Sequence, residues 1–325
     1  MISQLATALG SSAAGQELVA GVLGRMCLPW TNALHDGDVT HQSRSENEWS
    51  GTLKFAYRWN ENAMTYFSAA RGYKAGGFNL DRTQVGVTPT TSDTSFPGEF
   101  VDSYELGAKT TWAGGNLLLN GALFHQTYSD FQLNSFLGTS FVVRSIPKVT
   151  SQGLDAELLW QATPGLMLQT GLVYADTKYG KTIPGADFTY PGQFYKLPGG
   201  QMSFAPKWSF SASLTYEWDI GSNLEGRFNI GGKWMSEYNT GSDRDDEKLQ
   251  DAYAVVNARV GIGSRDRRWQ LEFWGLNIFD QDYVQVAFDG PLQAVGTPQP
   301  NDPLNTYNAF LGAPRMYGVT LRVRY

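Results

Sequence analysis

The chain has 325 residues, a formal net charge of −6 and 17% charged residues, low against the about 25% usual for a soluble domain. One cysteine, Cys27, excludes a disulfide framework and a cysteine-cluster zinc site, and three histidines (His35, His41, His125) make a histidine metal site a poor reading. The negative charge argues against a nucleic-acid partner, and no run approaches the roughly 20 apolar residues of a membrane helix.

Residues 1–48 form an atypical N-terminal segment. Positions 16–26 have helical spacing at Leu18, Val19, Val22 and Leu23, and 36–48 is polar and loop-like. The first 30 residues lack the basic and apolar regions of a secretory signal and are not read as one. From Trp49 the period changes to two. Leu53, Phe55, Tyr57 and Trp59 alternate with Lys54, Ala56 and Arg58, and Asn60-Glu61-Asn62 turns the chain back. Tyr104, Leu106, Ala108, Thr110 and Trp112 alternate with Glu105, Gly107, Lys109 and Thr111 before a tight Ala-Gly-Gly-Asn turn. Leu154, Ala156, Leu158 and Trp160 stand opposite Asp155 and Glu157, with Pro147 marking a bend or bulge earlier in that strand.

The clearest hairpin covers 208–234. Phe210, Leu214, Phe228 and Ile230 lie on its apolar face, and Ser211, Ser213, Arg227 and Lys233 on its polar one. Further strands carry Val256, Val260 and Ile262, and then Val319, Leu321 and Val323. About eleven strands result. Most are longer than the globular mean of about 5–6 residues and suit a tilted membrane span of about 9–11. Their connections alternate short and long, as in outer-membrane barrels, where the short turns are periplasmic. The fold class is an all-β, antiparallel, up-and-down transmembrane barrel wall. Trp59, Trp112, Trp160 and Trp218 each end a strand just before a short turn, Trp269 begins one just after, and Tyr325 closes the last strand. All six share the apolar parity, so they read as one interfacial aromatic girdle.

Several segments resemble TonB-dependent outer-membrane receptors. These are 66–79 (YFSAARGYKAGGFN), 100–107 (FVDSYELG), 151–158 (SQGLDAEL), 275–283 (GLNIFDQDY) and 314–325 (PRMYGVTLRVRY), in the family's order. The resemblance covers 49–325 and implies the C-terminal half of a 22-stranded barrel. Neither the family's plug nor its TonB box is recognisable here. It implies uptake, energised by TonB, of a bulky, scarce solute: a ferric siderophore, cobalamin, haem or a glycan. It also implies that the chain cannot transport alone, and that any contact with TonB runs through a missing N-terminal region. The expected partners are outer-membrane lipid, the ligand or chelate itself, and the barrel-assembly machinery, for which the terminal aromatic Tyr325 resembles the recognition signal. No cofactor, resident metal or enzymatic activity is expected.

Candidate lumen residues on the ligand path are Arg71, Lys74, Glu105, Lys109, Asp155, Glu157, Arg227, Lys233 and Arg259. For any one of them the favoured reading is a solvated interior residue facing a plug. Aromatics in the long loops, namely Phe78, Phe96, Tyr190, Phe194, Tyr195 and Tyr307, could contact an apolar or sugar ligand or pack the loops. Asp243, Asp245, Asp246 and Glu247 could bind calcium, but Arg244 and Lys248 interrupt them and a solvated loop is the expectation. Ser145-Ile146-Pro147-Lys148 matches S-x-x-K only by chance, because it lies in a strand without companion motifs. A soluble β-sandwich that binds carbohydrate and a passive porin are the competing readings. The sandwich would bury the apolar face under a second sheet.

Overall fold

The computed structural model describes residues 41–79, 94–136, 141–184, 195–290 and 307–324. The expected helix at 16–26, the loop aromatics Tyr190 and Phe194, and Tyr325 lie outside the described residues. Eleven strands form one antiparallel sheet in which sequence neighbours are spatial neighbours throughout. They are β1 (Gly51–Asn60), β2 (Ala63–Lys74), β3 (Glu99–Trp112), β4 (Leu117–Phe136), β5 (Phe141–Thr163) and β6 (Leu166–Tyr179). Then come β7 (Trp208–Ile220), β8 (Leu224–Met235), β9 (Tyr253–Ser264), β10 (Trp269–Leu276) and β11 (Met316–Val323).

The register carries one face across the whole sheet. Phe55 lies opposite Phe67, Phe67 opposite Leu106, Leu106 opposite Leu123 and Leu123 opposite Leu154. Farther along, Tyr216, Phe228, Val260, Phe273 and Val319 continue the same face. A slip of one residue at any pair would flip a strand's apolar set to the other side. None occurs within these spans, so the apolar face is continuous. It is uncovered: Phe55 is 62% exposed, Leu321 64% and Phe210 41%. The β-sandwich reading fails on this point, because no second layer covers that face among the described residues.

Local chemistry sets the turns. Gly114 and Gly115 adopt φ of 64° and 99° between β3 and β4, a region that glycine enters without a Cβ clash. Gly107 has another role. The Tyr66 ring lies over it on the neighbouring strand, where a Cβ would come within 2.4 Å. At the expected irregularity near Pro147, the β4–β5 ladder omits only the Asp130–Pro147 pair: Ser129 still faces Lys148 and Phe131 still faces Ile146. Proline has no N–H to give the ladder, and Asp130 has a φ of 54°.

β4 and β5 have 20 and 23 residues, about twice a membrane span. Their distal halves therefore rise beyond the spanning band. There Leu133, Ile146 and Val149 pack with Tyr179, Ile183 and Leu197 in a buried apolar cluster, flanked by Tyr128, Phe131 and Met202. Three short ladders belong to the same long-connection side. Gly77–Phe78 pairs with Ser95–Phe96, Tyr238–Asn239 with Leu249–Gln250, and Val284–Asp289 with Tyr307–Leu311. The last contains the short strand expected near 283–288.

Candidate functional site: the concave wall and the layer above it

The sheet curls toward its polar face. Strand parity places Lys74, Glu105, Lys109, Asp155, Glu157, Arg227, Lys233 and Arg259 on that face. Arg71 is a correction. Alternation runs unbroken from Phe67 to Arg71, opposite Asp102, so Arg71 lies on the outward face. Its guanidinium sits 3.4 Å from the Asp102 carboxylate, 5.0 Å from the Phe100 ring and 5.4 Å from the Trp49 ring.

Neighbouring strands answer most of the concave candidates. The Tyr66 hydroxyl donates to Glu105 at 2.5 Å, and Lys74 lies 3.9 Å from Glu99. Arg227 pairs with Glu217 at 3.3 Å and Arg259 with Glu272 at 3.6 Å. Asn120 donates to Glu157 at 3.4 Å. Among the described residues, the side chains of Lys109, Asp155 and Lys233 make no hydrogen bond or ion pair.

Asp155, Glu157 and Lys233 line one depression of about 790 Å³, together with Ser211, Ser213, Asn257, Tyr253 and Tyr283. One row of the ladder explains its shape. Glu157 faces Gly171, Gly171 faces Ser211 and Ser211 faces Lys233. Glycine and serine form a low floor, with acids on one wall and an ammonium on the other. Three strand spacings separate those walls, about 14 Å, too far for an ion pair and wide enough for a ligand or a polypeptide segment. At the long-connection end the Tyr253 ring stacks on Tyr283 at 4.6 Å, and the Tyr238 and Tyr253 hydroxyls are 3.3 Å apart.

Above this wall lies a buried ionic knot. The expectation of a solvated 243–251 loop holds for Asp246 and Glu247, which are exposed, and fails at its centre: Lys248 is 3% exposed and Asp289 4%, and Asp243 is also buried. The Lys248 ammonium donates to Asp243, to Asp289 at 2.5 Å and to Asp245 at 3.3 Å. The three carboxylates converge closely enough to hold a metal ion, and the ammonium fills that position. Lys196 pairs with Asp245 at 2.9 Å, and Arg244 donates to the Lys196 carbonyl at 2.8 Å, so the 195–203 loop is tied in. The Ala287 amide donates to the Thr240 carbonyl at 2.8 Å, which ties in the Val284–Asp289 strand.

Burial raises the Asp289 carboxyl to about 6 against the opposing pull of Lys248, and burial likewise raises Asp243. Burial alone would lower the Lys248 ammonium, but Asp243 and Asp289 outweigh it and hold it above the ordinary lysine value. The acid run 243–247 hinted at a cation. Nothing in the sequence could show that the cation is Lys248, or that Asp289, 41 residues away, completes the set. Ser145 of the chance S-x-x-K match donates to Asp130 at 3.1 Å within the β4–β5 hairpin. Phe78 and Phe96 sit in the short ladder at the β2–β3 connection.

Five of the six expected girdle residues are described. Trp59, Trp112, Trp160, Trp218 and Trp269 lie on the outward parity beside short turns.

An exposed apolar outside, a polar concave inside and alternating short and long connections define a class: a section of wall from a large antiparallel membrane barrel. Residues 30–278 match the family described as TonB dependent receptor-like, beta-barrel, and the chain belongs to that family. It is therefore an outer-membrane β-barrel segment. The match begins inside the stretch read as atypical.

The pesticin receptor of Yersinia pestis is 22% identical over 255 residues, covering 75% of this chain and 33% of that receptor. The ferric-pyoverdine M114 receptor PbuA of Pseudomonas sp. (strain M114) is 29% identical over 226 residues, covering 69% of this chain and 24% of the relative. Among solved structures, the ferric yersiniabactin uptake receptor FyuA from Yersinia pestis superposes with a TM-score of 0.64 at 19% identity, covering 84% of this chain and 37% of that one. The ferripyoverdine receptor of Pseudomonas aeruginosa, solved with ferripyoverdine, gives a TM-score of 0.58 at 15% identity, covering 88% and 34%. The chain spans about a third of the first of these relatives or less.

Proposed function

We propose that the chain forms the C-terminal half of the barrel wall of a TonB-energised receptor that imports a ferric siderophore across the outer membrane. The observation that carries this is the unbroken outward apolar face over eleven strands, backed by a concave polar face with unpaired charges of both signs. Hydrocarbon outside and a wet interior require that division of faces. The ferric ligands named for the pyoverdine and yersiniabactin receptors favour an iron chelate over cobalamin, haem or a glycan. Asp155, Glu157 and Lys233 are the lumen contacts, meeting either the solute or the element that gates it. Of the other concave candidates, Lys74, Glu105, Arg227 and Arg259 are engaged by Glu99, Tyr66, Glu217 and Glu272, and Lys109 adds a further cation to the lumen.

The tryptophans beside the short turns anchor the wall at the periplasmic interface. Tyr325 acts as the barrel-assembly signal, and contact with TonB belongs to receptor regions outside this wall.

The test begins with location: the protein should fractionate with outer membranes, need detergent for extraction and migrate in a heat-modifiable way on mild SDS gels. In iron-starved cells, disrupting the gene should abolish uptake of one radiolabelled ferric chelate. Unchanged uptake across ferric hydroxamates, catecholates and pyoverdines would reject the siderophore assignment.

A further inference from the structure

We propose that the outward face of β4, β5 and β6, just above the apolar band, docks a phosphorylated, sugar-bearing lipid headgroup of the outer leaflet, with Lys148 and Lys178 holding the phosphate. The inference rests on the lipid-facing wall alone and goes beyond the import reading.

Successive outward rows change character along these strands. Leu106, Leu123 and Leu154 end the apolar band in a row that continues through Tyr174 to Trp208. The Tyr174 and Trp208 rings lie 4.6 Å apart there, and Tyr and Trp favour a membrane interface. The next row reads Tyr104, His125, Gln152 and Asp176, and the one above it Asp102, Thr127, Thr150 and Lys178. A third pairs Ser129 with Lys148. Outward parity holds to the end of this strip: Val149, Ser151 and Thr177 on the other face are buried, whereas Lys148, Gln152 and Lys178 are exposed. The strip stops at the next pair, Asp130 (φ 54°) and Pro147, beyond which Phe131 and Ile146 turn into the buried cluster.

Height agrees with that reading. Lys148 is twelve positions from Trp160 along β5, and Lys178 is twelve from Leu166 at the start of β6. Twelve positions climb about 30 Å on a strand tilted about 40°. The apolar band of such a wall is about 25 Å tall. With Trp160 at the short-turn interface, both ammoniums stand level with the headgroups of the opposite leaflet.

Charge at that height is unbalanced. On β2 and β3, Arg71 is answered by Asp102. On β5 and β6, two ammoniums share one acid. Lys178 pairs with Asp176 at 2.7 Å, and the Lys148 side chain makes no hydrogen bond or ion pair among the described residues. The two lysines take diagonal positions on neighbouring strands, about 7–8 Å apart, so both reach one phosphate on their flexible stems. Neutral hydrogen-bonding groups lie beside them, engaged sideways: His125 meets Gln152 at 3.3 Å and Thr127 at 3.5 Å. These groups spread over three strands, about 10 Å, wider than a phosphate and suited to the hydroxyls and amides of a sugar. The occupant is lipid because the strip continues the lipid-facing band on the same parity. A headgroup reaches it without leaving its leaflet, and its acyl chains run down over the Tyr174–Trp208 pair and the leucines below.

The test uses the protein extracted from outer membranes in mild detergent and titrated with lipid, bound lipid being read by native mass spectrometry. The probes are a bisphosphorylated glucosamine disaccharide lipid (lipid A), its dephosphorylated form and phosphatidylglycerol. The phosphorylated glycolipid should bind on the order of tenfold more tightly than either of the others, and inorganic phosphate should not displace it. Lys148→Gln/Lys178→Gln should lose the preference and Lys148→Arg/Lys178→Arg should keep it. Lys54→Gln, on the concave face, should leave it intact. All three variants should keep the wild-type heat-modifiable migration. Equal affinity for the phosphorylated and dephosphorylated forms, an undiminished preference in the double Gln variant, the same loss in Lys54→Gln, or displacement by inorganic phosphate overturns the site. Phosphatidylglycerol binding as tightly as the glycolipid overturns the sugar assignment. None of these results touches the import reading, which chelate uptake decides.

Discussion

The spanning wall and the layer above it obey different rules. In the wall, apolar side chains such as Phe55 and Leu321 point out and stay uncovered, and the polar residues face a concavity. In the layer above, Ile146, Val149 and Leu197 are buried among one another, and even a lysine and two aspartates are removed from solvent. The wall uses lipid in place of a core, so its order comes from the backbone ladder and from the division between two solvents. The upper layer, in water, has to make its own interior. It does so with long-range contacts between the distal ends of β4, β5 and β6 and the long connections that fold against them.

The sharpest way to break that contrast is Lys248→Met. It strands Asp243 and Asp289 without their cation, a loss that typically costs about 3–5 kcal/mol. Hydrogen exchange should show the Ala287 and Thr240 amides losing protection, with β7 and β8 unchanged. Loss of protection throughout the sheet would mean that the two regions are one cooperative unit. A second pair of substitutions probes the wall itself. Leu214→Arg places a charge in the lipid-facing band and should cost about 2–4 kcal/mol in a denaturant titration in lipid vesicles. Lys233→Glu, one face over, should be close to neutral. Equal costs would deny that the faces meet different solvents.

The smallest effect sharpens the contrast by pH. Asp289 titrates at about 6 in the folded protein against about 3.9 when unfolded. The fold binds this proton more tightly than the unfolded chain does. Its contribution is therefore greatest in acid and falls as pH rises from about 4 through about 6, by at most about 3 kcal/mol. Lys248 stays charged across that range. Protection at Ala287, corrected for intrinsic exchange, should decline over this window and then level off. Asp289→Asn should flatten the dependence, and the wall's amides should show none of it.

Which parts were legible follows from the same contrast. The alternation from Trp208 to Trp234 made strand type, length and facing readable, because each face of a wall strand meets one medium throughout and period two records this residue by residue. The parity of Glu105, Asp155, Glu157, Arg227 and Lys233 was readable for the same reason. Arg71 was misplaced because its charge outweighed its parity, although counting from Phe67 would have put it outside.

The sequence by itself determined the eleven strands, their order, the two-faced wall and the membrane it suits, since all of these are local periodicities and turn chemistry. Only the tertiary structure decided that Lys248 occupies the site the acids form, that Asp289 completes it, and that Glu157 and Lys233 flank one trough. Each of those facts depends on which distant residues the ladder and the folded connections bring side by side, and that information lies in the pairing of segments rather than in any one of them.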